Sequence, residues 1–113
     1  MRETKEMILV VEDVQEISSE MNAMLHARGH NVMSAVDAEQ AIKIAEEQRP
    51  KLILTDLDLP TLGLLVRLIR EHKDLKDMLV AIIDINGPDV NKEDGLKVLT
   101  NFGQLDELLQ SIQ

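Results

Sequence analysis

The stretch Leu52–Pro60, LILTDLDLP, decides the reading of this chain. Three apolar residues and a threonine run into two carboxylates, Asp56 and Asp58, and a proline closes the segment. A short apolar run without polar alternation has the pattern of a strand buried on both faces. Acidic groups at the end of such a strand fall where an open parallel sheet forms its binding crevice.

Working outward, the same pattern recurs. MILVV (Met7–Val11) runs into Glu12 and Asp13, and DMLVAIID (Asp77–Asp84) ends in Asp84. NVMSAV (Asn31–Val36) and LKVLT (Leu96–Thr100) are two further strand candidates. Between them the apolar period switches to that of helices. Ile17, Met21, Met24 and Leu25 form one stripe, read as core, with Gly29 as its C-terminal cap. DAEQ (Asp37–Gln40) reads as a capping box opening a helix with Ala38, Ala41, Ile42 and Ala45 inward, stopped by Pro50. Leu62, Leu65, Val66, Leu68 and Ile69 make a third stripe, with Arg67 and Arg70 towards the end favoured by the macrodipole. Leu105, Leu108, Leu109 and Ile112 make the last. INGPDVNKEDG (Ile85–Gly95) is broken by Gly87, Pro88 and Gly95 and has room for a helical turn or two at most. Alternating β and α elements imply a three-layer α/β sandwich, a parallel sheet with right-handed crossovers and helices on both faces. The chain of 113 residues is read as one domain, residues 1–113, large enough for its own core.

Composition narrows the function. Asp and Glu number 21 against 12 Lys and Arg, a formal net charge of −9, which argues against nucleic-acid and anionic-membrane surfaces. Phe102 is the single aromatic, so bases find no stacking platform. With no cysteine, disulfides and thiolate metal sites are excluded. No apolar run is long enough to span a bilayer and the N-terminal MRETKE lacks a signal-peptide core, so the expectation is a soluble, cytoplasmic protein.

Strand ends of a parallel sheet share one edge, which brings Glu12, Asp13, Asp56 and Asp84 together. Taken singly, an Asp between strand and helix is an ordinary helix cap, and Asp13 and Asp56 both fit that description. As a set they repel: at an effective dielectric near 20, each pair about 5 Å apart costs roughly 3 kcal/mol. A hard divalent cation such as Mg²⁺ relieves this, being suited to carboxylates, waters and phosphate oxygens.

Over nearly its whole length the chain resembles the receiver domains of response regulators. ILVVEDV (Ile8–Val14) resembles the first strand and acidic pair of that family, and LILTDLDLP its phospho-acceptor strand, with Pro60 four residues after Asp56. LTNFGQLDELL (Leu99–Leu109) resembles the fifth strand and last helix in degraded form. The resemblance implies a flavodoxin-like sheet in the order 2-1-3-4-5 and a place in a two-component phosphorelay. Asp56 then accepts a phosphoryl group from a histidine kinase or phosphotransfer protein, making the chain a phosphoprotein that signals to a downstream protein partner rather than a turnover enzyme. Mg²⁺ is implied as cofactor, held by Glu12, Asp13, Asp56 and the backbone carbonyl of Asp58.

Other positions depart from the family. Asp84 stands where a switch Ser or Thr is expected, Val98 where an aromatic is, and Asn101 and Phe102 where Lys and Pro are. The fourth helix is expected to be shortened or missing, and the segment after Pro60 carries a small deletion. An added carboxylate and a lost lysine each disfavour a phosphorylated state by roughly 1–3 kcal/mol. The expectation is an atypical receiver, with a phosphorylation-independent pseudo-receiver, a protein-binding module, as the alternative. A remoter one is a haloacid-dehalogenase-type phosphatase, whose D-x-D-x-T/V motif DLDLPT (Asp56–Thr61) resembles; Pro60 holds the Thr/Val position and Thr61 comes one place late. A flavin binder of the same topology needs a phosphate-binding loop where VEDVQE (Val11–Glu16) is acidic. His26 and His30, four apart, are divided by the expected helix stop at Gly29 and present no metal face, and His72 is read as a solvated surface residue.

Overall fold

The computed structural model describes residues 7–56, 62–83, 97–99 and 102–111. Five strands, β1 (Met7–Val11), β2 (Asn31–Ala35), β3 (Leu52–Asp56), β4 (Leu79–Ile83) and β5 (Lys97–Leu99), form one sheet in the order β2-β1-β3-β4-β5. All four pairings are parallel. The strand order reverses between β1 and β3, which leaves a crevice beyond their C-terminal ends. Four helices are described: α1 (Gln15–Ala27), α2 (Ala38–Gln48), α3 (Leu62–Glu71) and α4 (Phe102–Ser111). The expected state of the fourth helix of the family falls between β4 and β5, outside the described residues.

The apolar runs alternate between two cores. Leu9, Val11, Ile53 and Val80 point towards α2 and α3, meeting Ala38, Ala41, Ala45, Leu65 and Ile69. Ile8, Val10, Leu52, Leu54 and Ala81 point the other way, against Met21 and Leu25 of α1 and Leu105 of α4. Strands covered on both faces need apolar residues at every position, which is why their sequences read as unbroken runs.

Helix ends are set by local chemistry. Asp37 caps α2, its Oδ1 accepting the Gln40 N–H at 2.9 Å, while Gln40 Oε1 accepts the N–H of Val36 at 2.8 Å. This is a capping box with its return bond one residue early. It ends β2 at Ala35 and leaves Val36 exposed, one residue short of the expected strand. After α1, Gly29 adopts φ 90°; its N–H bonds the His26 carbonyl and the His30 N–H bonds that of Leu25. These are the paired bonds of a glycine-terminated helix, and His26 and His30 fall on either side of that stop.

One expectation for the helices needs correction. Of the α1 stripe only Met21 and Leu25 are buried; Ile17 and Met24 are each 37% exposed. At 100° per residue they lie roughly 60–80° round the helix from the line through Met21 and Leu25. Arg70 lies in the last turn of α3, as expected, and its Nη1 also donates to the carbonyls of Lys76 and Met78, each at 3.0 Å.

Candidate functional site

The C-terminal edge of the sheet carries the acids of the first and third strands. Glu12 directly follows β1 and stays bonded to the sheet, its N–H donating to the Ala35 carbonyl at 3.0 Å. Its side chain is only 2% exposed, and Oε2 accepts the N–H of Val14 at 3.1 Å. That bond folds the carboxylate over the turn into α1. Asp13 beside it is exposed. The N-cap of α1 is Val14, extended at φ −95° and ψ 115°, with no side-chain capping bond, so the ordinary reading of Asp13 as a helix cap does not hold.

Asp56 closes β3, its backbone paired with Ile83, the residue before Asp84. One step back, Val11 and Thr55 are register partners, so Glu12 and Asp56 each follow one member of that pair. Thr55 is fully buried, and its Oγ1 donates to the Val11 carbonyl at 3.0 Å. Besides Glu12 it is the one buried polar side chain among the described residues. Its sequence signal is slight, a hydroxyl inside an apolar run, and a threonine suits a strand on propensity alone.

The remaining expected positions are placed in part. The backbone of Val98 lies in β5 opposite Ile82, and that of Phe102 opens α4. Asp58, Asp84 and Asn101 lie outside the described residues, as do Pro60 and Thr61. Among the described residues no three acidic or histidine side chains gather as a metal site. What the described side chains do offer is the adjacent pair Glu12 and Asp13, a hard, oxygen-only donor set.

His72, read as a solvated surface residue, is half-buried and bonded on both ring nitrogens. It lies at the opposite edge of the sheet, where Nδ1 accepts the Asp74 N–H at 3.0 Å and Nε2 lies 2.8 Å from Glu46 Oε2 of α2. With Nδ1 accepting, the proton of the neutral ring is on Nε2 and donates to Glu46. Nearby, Arg49 adopts φ 49°, its Nε donates to the Glu46 carbonyl at 3.1 Å and its Nη2 lies 3.8 Å from Asp74.

Fold and site together define a doubly wound α/β protein with an acidic edge at the point where its strand order reverses. The response regulator receiver domain matches residues 8–101, and this chain belongs to that family, the receiver domains of two-component signalling. The Bacillus subtilis alkaline phosphatase synthesis transcriptional regulatory protein PhoP is 42% identical over 55 residues, 49% of this chain and 23% of that protein. Against three curated relatives the chain spans 35%, 23% and 12% of their length. Among solved structures, the receiver domain of the Pseudomonas aeruginosa sensor histidine kinase PA1611, described with a magnesium ion in its active-site cleft, is 28% identical. It superposes with a TM-score of 0.80 over 96% of this chain and 97% of that one. The pseudo-receiver domain of the CikA protein is 25% identical with a TM-score of 0.77, over 95% of this chain and 96% of that one. Family membership leaves the phosphatase motif as a chance likeness around Asp56. No helix among the described residues is long and apolar enough to cross a membrane.

Proposed function

We infer that residues 1–113 act as one receiver unit that accepts a phosphoryl group on Asp56, with Glu12 and Asp13 holding a divalent cation beside it. The observation that carries this reading is the register. Glu12 and Asp56 follow paired residues on neighbouring strands at the switch point, the Glu12 carboxylate is buried there, and Asp13 is not used as a cap. In the transfer a carboxylate oxygen of Asp56 bonds to phosphorus while the P–N bond of a donor phosphohistidine breaks, its electron pair staying on the imidazole. The donor is a histidine kinase or phosphotransfer protein, and the acyl phosphate is read by a downstream protein. Mg²⁺ fits the donor set: two carboxylates here, with Asp56 and the carbonyl of Asp58 as the further ligands the family implies. When bound it supplies positive charge against the incoming phosphoryl oxygens. The chain's own part is to hold Glu12 in place through the Val14 N–H and to leave Asp13 exposed beside it.

Incubation with Mg²⁺ and a small phosphodonor, followed by intact-mass measurement, tests this. One phosphoryl adduct is expected, absent after chelation of the metal and absent in Asp56→Asn. No adduct from either a small donor or a cognate kinase overturns the reading.

A second reading, a pseudo-receiver working without phosphorylation, is favoured by Asp84 and Asn101, which replace a family hydroxyl and lysine. An ionised carboxylate only repels a phosphoryl oxygen to which a hydroxyl donates. Asp84→Thr combined with Asn101→Lys is therefore expected to raise adduct yield or lifetime, by about tenfold for each 1.4 kcal/mol relieved. A double variant that behaves like the parent removes the electrostatic case for this second reading.

A further inference from the structure

We propose that Thr55 is a positioning residue: its hydroxyl pins the last residues of β3 to β1 and so sets the spacing between the Glu12–Asp13 pair and Asp56. The inference rests on the phospho-acceptor reading above and deepens it. Three observations converge. Thr55 and Glu12 are the two polar side chains buried among the described residues, and they lie at the same edge of adjacent strands. The Thr55 Oγ1 bond to the Val11 carbonyl joins residues 44 positions apart, and each of them is followed by a candidate site residue. The bond also falls on the last register pair of β1 and β3. Beyond that point β1 and β3 no longer pair with each other. Glu12 is bonded to Ala35 of β2 on its far side and Asp56 is paired with Ile83 of β4, so the Thr55 bond is the last described tie across the gap between them.

A valine at this position matches the shape of threonine, suits a strand equally and adds apolar surface to a dry core. Folding alone therefore gives little reason for a hydroxyl. A parallel ladder fixes strand separation on its own only while both strands continue. At a ladder's end, one extra bond from side chain to carbonyl limits the splay of the two C-terminal residues. Sites assembled from separate elements lose function for displacements well under 1 Å, so the spacing is what such a bond protects.

The test compares the parent with Thr55→Val and Thr55→Ser through three readouts. These are the Mg²⁺ concentration for half-saturation, followed by backbone amide NMR without phosphodonor; the adduct-formation rate at saturating Mg²⁺ and small phosphodonor; and the urea midpoint. A positioning role predicts that Thr55→Val raises the half-saturating Mg²⁺ and lowers the saturated rate, each by about 3- to 10-fold, the equivalent of one hydrogen bond. Thr55→Ser, which keeps the hydroxyl, is expected to return both to within about twofold of the parent. If Thr55→Val moves only the urea midpoint, or no longer folds, the hydroxyl belongs to the fold and the proposal is overturned. A parent that takes no phosphoryl group but binds Mg²⁺, more weakly in Thr55→Val, sinks the phospho-acceptor reading and leaves the positioning role standing. A parent that does neither sinks both.

Discussion

The two edges of the sheet are both charged, and for opposite reasons. At the edge where the strands begin, carboxylates have partners that offset them: Glu46 accepts from the His72 ring, and Asp74 lies opposite Arg49. Arg70 closes the turn into β4 through two carbonyls, and the Lys51 N–H ties the entry of β3 to the Met7 carbonyl. Every one of these contacts involves a residue in a connection between elements. At the edge where the strands end, Glu12 and Asp13 are neighbours of like sign, and one of them is buried. Exposed pairs of unlike sign contribute little to stability but cost little to keep. Adjacent carboxylates with one in the core are destabilising by themselves, and they persist where a ligand or a reaction uses them. On the phospho-acceptor reading proposed above, the first edge is charged as a surface and the second as a site.

The largest effect that sharpens this contrast is expected from Glu12→Gln. The amide retains an acceptor for the Val14 N–H, so the turn survives, while Mg²⁺ affinity should fall at least about tenfold. Stability should hold or rise by up to about 1 kcal/mol as like charges are removed. A titration with Mg²⁺ beside a urea melt reads both, and an unchanged affinity would erase the distinction between the edges. His72→Ala at the other edge removes the Glu46 contact and the acceptor of the Asp74 N–H. It should lower stability by about 1 kcal/mol or less and leave Mg²⁺ binding untouched; a change in binding would mean the two ends communicate. Smallest of all is Asp74→Ala. Its 3.8 Å pairing with Arg49 is exposed on both sides, and its loss should cost under about 0.5 kcal/mol, less still in 1 M salt.

The architecture was legible because buried parallel strands leave no choice of residue: LILT, MILVV and LVAII can serve in few other roles. The acids of the candidate site stood out for a related reason, each terminating such a run. What escaped were features that depend on partners far away in sequence. Nothing around His72 announces Glu46, 26 positions earlier, and nothing around Thr55 announces the Val11 carbonyl, 44 positions earlier. Val36 looked like strand because valine favours strands, yet its N–H is taken by Gln40 and the ladder stops one residue sooner. Ile17 and Met24 looked like core because their period is helical. The period locates an apolar face without saying how much of its width the sheet covers.

The division of the sheet into two faces also bears on the order of assembly. The core shared by α2 and α3 draws on residues between Leu9 and Val80, whereas the other face waits for Leu99 and Leu105. A chain emerging from its N-terminus can close the first face while the second still lacks a helix, and an ion pair between Arg28 and Asp106 joins α1 to that late arrival. Loops that close over greater sequence separation cost more entropy and form more slowly. Docking of α4 is thus expected as the late step of folding. In native-state hydrogen exchange its amides should open before those of β1 and β3, making the last helix more readily released than the central strands.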